Sequence, residues 1–117
     1  ACMYAGFAFS NTQTSIAHAI SYYVTANKGI DHGIACSFTL PKLIDNVLGE
    51  YDFIDDALME IFGELSSDKL RILLRELNVS TKFKDYGIGS QELTELKESL
   101  KNNKRAGNSL ININNFV

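Results

Sequence analysis

Residues 13–48 read QTSIAHAISYYVTANKGIDHGIACSFTLPKLIDNVL, and the spacing of their apolar side chains decides the fold class. Ile16, Ile20, Tyr23 and Val24 recur at steps of four, seven and eight, the period of an α-helix with one face turned inward. This predicts a first helix over residues 13–26, with Asn11 or Thr12 placed to cap it and Asn27-Lys28-Gly29 to stop it. A second helix is expected from His32 to about residue 48, capped by Asp31. Pro41 lies inside that run. Lacking a backbone N–H, it predicts a kink or a change of helix near Leu40.

The same pattern continues downstream. Ile54, Ala57, Leu58, Ile61, Phe62 and Leu65 form a stripe around a helix over residues 55–65. Ser67 stands ready to cap a helix over residues 68–77, where Leu70, Leu73, Leu74 and Leu77 repeat the stripe. Residues 80–89 read as a loop with docked aromatics, because Phe83 and Tyr86 lie among Lys and Gly. Ser90 then caps a last helix to about residue 102, with Leu93, Leu96 and Leu100 inward. Residues 109–113 carry the one segment with strand character. The expectation is an all-α fold, a helical bundle of about five helices in one domain over residues 1–117.

Composition narrows the function classes. The chain has 117 residues, 45% hydrophobic and 21% charged, ordinary values for a globular protein. A net charge of −3 and a pI near 5.3 give no electrostatic reason to expect nucleic acid or an anionic membrane as partner. No run approaches the roughly 18 apolar residues of a membrane span, and residues 1–10 lack the basic start of a signal peptide. Two cysteines, Cys2 and Cys36, are too few for a disulfide framework and fit a reducing cytoplasm. Cys36 sits in an apolar helical run and reads as a small buried residue.

Chemistry rests on the two histidines. His18 lies opposite Ile16 and Ile20 on its helix and shares a face with Thr14, Ser21, Tyr22 and Thr25. Such a face is either the wet side of an amphipathic helix or the wall of a cleft. Residues 11–27 carry no Lys or Glu on it, which favours the cleft. His32 falls at the start of the next helix. Two histidines alone do not complete a catalytic metal site, which takes about three protein ligands and an open position. No Gly-rich phosphate loop, no G-x-S-x-G and no Cys/His cluster is apparent. Asp55, Asp56, Glu60 and Glu64 read as a solvated helix face, and Lys101, Lys104 and Arg105 as cations answering a helix dipole.

Residues 5–41, AGFAFSNTQTSIAHAISYYVTANKGIDHGIACSFTLP, resemble the signature region of the iron-containing (group III) alcohol dehydrogenases. There an A-G-x-A-F-x-N opening leads to A-H-A-x-S and then P-H-G-x-A and L-P. Arg105-Ala106-Gly107-Asn108 looks like the start of the family's R-x-x-N-N-P turn. The resemblance implies a dehydroquinate synthase-like C-terminal helical domain in which His18 and His32 are metal ligands to Fe²⁺ or Zn²⁺. An Asp and a His one turn apart on an earlier helix complete the family's site, and no such pair stands in this chain. The implied parent reaction is hydride transfer between NAD(P)H and a small alcohol or aldehyde, with the metal polarising the substrate oxygen.

The resemblance also implies a separate N-terminal nucleotide-binding domain as partner, so that this part alone is inactive. It further predicts an exposed surface around His18, covered by that partner or by homo-oligomer formation. Tyr22 takes the place of a second His found in many members and becomes the candidate catalytic hydroxyl. Asp31 replaces the usual proline before the second ligand, and Asn108-Ser109-Leu110 replaces the closing Asn-Asn-Pro. The text around both histidines looks most like members that reduce small aldehydes, phosphonoacetaldehyde reductases among them. Non-redox dehydroquinate synthase-type and glycerol dehydrogenase-type relatives share the helical domain, and a helical interaction module without metal is the reading from another class.

Overall fold

A stripe repeating every turn on one helix has to be covered by other elements. The computed structural model, which describes residues 2–10 and 12–111, shows what covers it. The helices run α1 (Cys2–Phe9), α2 (Ile16–Lys28), α3 (His32–Ser37), α4 (Leu40–Asp45), α5 (Asp52–Phe62), α6 (Asp68–Glu76), α7 (Ser90–Lys101) and α8 (Lys104–Gly107). A short 3-10 turn, Phe83–Tyr86, lies between α6 and α7. The described residues form no strand, so the all-α expectation holds. Residues 109–111 are not a strand, and residues 112–113 lie outside the described residues.

Ile16, Ile20 and Val24 of α2 are sealed. Ala35 of α3, Phe38, Leu43 of α4, Ile88, Leu96 and Leu100 of α7, and Ala106 of α8 complete one apolar cluster with them. Full burial of each large aliphatic stabilises by about 1.5–3 kcal/mol before entropy is set against it. Phe83 and Tyr86 dock on Phe38, with ring centroids 5.0 Å and 4.8 Å away, as the loop reading anticipated. The Tyr86 hydroxyl donates to the Ser80 carbonyl at 2.7 Å.

Local chemistry explains where the helices differ from expectation. α2 begins three residues late, at Ile16 behind Ser15, because the Thr12 hydroxyl instead donates to the Ala8 carbonyl at 3.2 Å and closes α1. The stop at Gly29 is as expected. Its φ of +66° is the left-handed conformation that glycine adopts freely, and its N–H donates to Thr25. The expected kink near Leu40 is a full break, and Pro41 becomes the second residue of α4, where its missing N–H costs little. Ser67 precedes α6, but its hydroxyl donates to Asp45 and accepts from Arg71 Nε rather than capping. Arg71 also pairs with Asp45, so this cluster ties α6 to α4.

The residue before α7 is Gly89 and not Ser90. The Gly89 N–H donates to Glu92 Oε2 at 3.1 Å, and Glu92 pairs with Lys28 at the end of α2. Asp55 is no bystander on a solvated face: its carboxylate accepts the Gly49 N–H at 3.1 Å and 3.2 Å. The count of about five helices is exceeded by α1, by the break at Pro41 and by α8, which Asn103 caps through N–H groups of Arg105 and Ala106. The stripes of α5 and α6 are only partly covered. Leu58 and Leu74 are buried, whereas Ile61, Leu65, Leu73 and Leu77 are exposed.

Candidate metal centre

Because Ile16 and Ile20 face the core, His18 between them faces away from it. The short link Gly29-Ile30-Asp31 folds α3 back on α2 and brings His32, the first residue of α3, to His18. The two imidazoles, fourteen residues apart in sequence, meet with ring centroids 5.3 Å apart at 75°. Ser21, fully buried, donates its hydroxyl to the His18 carbonyl at 2.8 Å. Tyr22, one turn beyond His18, lies 6.4 Å from the His18 ring and 5.8 Å from the His32 ring. All three sequence-predicted site residues therefore come together, on a surface where His18 is half-buried and Tyr22 and His32 are exposed.

Two further residues join them that the sequence reading assigned elsewhere. Cys36, expected to be buried, is half-exposed one turn below His32. Its sulfur lies 3.5 Å from His32 Nε2 and 3.9 Å from His18 Nδ1. The expectation of no Cys/His cluster is thereby corrected: donor atoms of His18, His32 and Cys36 all lie within 4.8 Å of one another. The signal was present as H-x-x-x-C, since residues four apart on a helix share a face. Arg105 does not serve a helix dipole alone. Its guanidinium sits over the Tyr22 ring, 4.9 Å from the centroid.

Partial burial holds the His18 imidazole below its ordinary range, and the nearby His32 and Arg105 push the same way. The neutral form is the one that offers a lone pair to a cation. On donor chemistry the residues present fit a divalent metal, with two imidazoles from different helices converging and a thiol beside both. Arg105 also lines a polar cleft of about 710 Å³ with Thr12, Gln13, Thr14 and residues 102–104. No helix among the described residues is long and apolar enough to cross a membrane.

Residues 1–112 match the C-terminal part of the Fe-containing alcohol dehydrogenase family. A sulfoacetaldehyde reductase of Bilophila wadsworthia (strain 3_1_6) is 30% identical over 87% of this chain, which spans 32% of that reductase's length. No solved structure matches the chain. The chain belongs to the Fe-containing alcohol dehydrogenase family and carries the C-terminal helical part characteristic of it.

Proposed function

We propose that this chain is the metal-carrying helical domain of a metal- and NAD(P)-dependent alcohol dehydrogenase that interconverts a small aldehyde and its alcohol. The observation that carries this reading is the meeting of His18 and His32 from α2 and α3 at 5.3 Å on an open surface. In this reading both imidazoles ligate Fe²⁺ or Zn²⁺, and the remaining ligands and the nicotinamide come from the part of the protein that precedes this chain. The bound metal supplies Lewis acidity toward the carbonyl oxygen. The Tyr22 ring lies beside both imidazoles, and in this reading its hydroxyl donates to substrate or cofactor.

Arg105 narrows the substrate class. A fixed positive charge over Tyr22 suits a small aldehyde that carries a sulfonate or phosphonate group. The similarity to a sulfoacetaldehyde reductase supports the same class. By itself the chain has no nucleotide-binding motif and should not turn over.

The test extends the chain upstream through the nucleotide-binding domain and follows NADH and NADPH oxidation with sulfoacetaldehyde and with acetaldehyde. His18→Ala and His32→Ala should each lower kcat/KM at least about a hundredfold, the scale of a lost Lewis acid. Arg105→Gln should cost roughly tenfold to a hundredfold with sulfoacetaldehyde and leave acetaldehyde little changed. A full-length protein that is redox-silent with every divalent metal tried defeats the proposal.

A further inference from the structure

The geometry points to Cys36 as a third metal ligand, so that His18, His32 and Cys36 form on this chain a three-donor centre with one open position. The inference rests on the reading of His18 and His32 as ligands and adds the thiolate. Around one tetrahedral ion with metal–nitrogen and metal–sulfur bonds of ordinary length, neighbouring donors stand about 3.3–3.6 Å apart. Cys36 Sγ lies 3.5 Å from His32 Nε2 and 3.9 Å from His18 Nδ1, and no two donors of the set are more than 4.8 Å apart, so an ion would draw them together by about 1 Å at most. His32 and Cys36 occupy successive turns of α3, and His18 approaches from α2, so the three donors come from two helices and converge on one point.

Partial exposure of all three residues leaves an entry path and room for water at the fourth position. Metal binding replaces the S–H bond by a sulfur–metal bond, and the proton leaves to solvent; no redox step is involved. A soft thiolate beside two imidazoles ranks Zn²⁺ above Fe²⁺ and far above Mg²⁺. By itself the chain would then hold a metal through these three donors, before the Asp and His of the preceding part of the protein join the site.

Cobalt(II) titration of the reduced chain under anaerobic conditions tests this, with far-ultraviolet circular dichroism confirming the helical fold of each variant. Wild type and Cys2→Ser should show intense visible bands of a four-coordinate ion and a near-ultraviolet thiolate-to-cobalt charge-transfer band. Cys36→Ser should lose the charge-transfer band and bind at least about tenfold more weakly. Cys36→His should regain affinity without that band, because it restores a donor that is not sulfur. Identical spectra and affinities for wild type and Cys36→Ser would overturn the thiolate ligand while leaving the histidine pair intact. A band that disappears with Cys2→Ser instead would overturn it too. A folded wild-type chain that binds no cobalt would overturn the three-donor centre, whereas the histidine pair stands or falls with the activity of the extended chain.

Discussion

α2 and α5 carry apolar stripes of the same helical period and end in the same way, on a glycine with positive φ. Yet Ile16, Ile20 and Val24 on α2 are 1%, 0% and 0% exposed, whereas Ile61 on α5 is 70% exposed. The difference lies in their neighbours. α3, α7 and α8 pack around α2 and close its stripe from several sides. On α5 only Leu58 is sealed, and α6 shows the same outcome, with Leu74 sealed beside exposed Leu73 and Leu77. Periodicity therefore fixes which residues share a face, and tertiary packing decides whether that face is dry.

This contrast can be broken by experiment. Leu96→Ala, a truncation inside the sealed cluster, should cost about 2–5 kcal/mol in urea denaturation. Ile61→Ala on the open face should cost under about 0.5 kcal/mol. Equal losses would mean that the α5 stripe is covered as well as that of α2. Next in size is the tie between α4 and α6. Asp45→Ala removes the partner of Arg71 and of the Ser67 hydroxyl. Both charged side chains are more than a third exposed, so solvent screening limits the loss to about 1 kcal/mol or less. Amide exchange should quicken in α6 and stay unchanged in α2; a uniform increase would show that the two regions unfold together.

The smallest effect concerns pH. The hydrogen bond from Lys28 holds the Glu92 carboxyl below its ordinary value of 4.5, with the Gly89 N–H assisting. A carboxyl depressed in the folded state contributes its stability above the unfolded value and loses it as pH falls through the folded one. Acidification below about pH 4.5 should therefore loosen the join between α2 and α7, and Glu92→Gln should flatten that part of the stability profile. A Glu92→Gln profile that matches wild type would remove this join from the list of what distinguishes the α2 region.

Legibility in the sequence follows the same division. The stripes of α2 and α7, the stop at Gly29 and the docking of Phe83 and Tyr86 could be read because local spacing and composition determine them. α1 could not: Ala5-Gly6-Phe7-Ala8-Phe9 is apolar almost throughout and shows no period. Ser90 was a reasonable cap by residue type, but Gly89 takes the place because Glu92 reaches back to its N–H. The motif and spacing single out His18, His32 and Tyr22, and the three rings lie together on one surface. The apolar neighbours of Cys36 point to a core position, and only the fold of α3 against α2 reveals that it faces His18. Arg105 is distant in sequence and arrives by way of α8.

The docking of Phe83 and Tyr86 on Phe38 has a mechanical consequence for His32 and Cys36 on α3. A helix of six residues has little stability of its own, since isolated helices shorter than about 12 residues are marginal in water. Phe38, the residue immediately after it, is gripped by two rings. α3 thus behaves as a short beam clamped at its far end, and the spacing of His32 and Cys36 borrows its rigidity from the aromatic packing on Phe38.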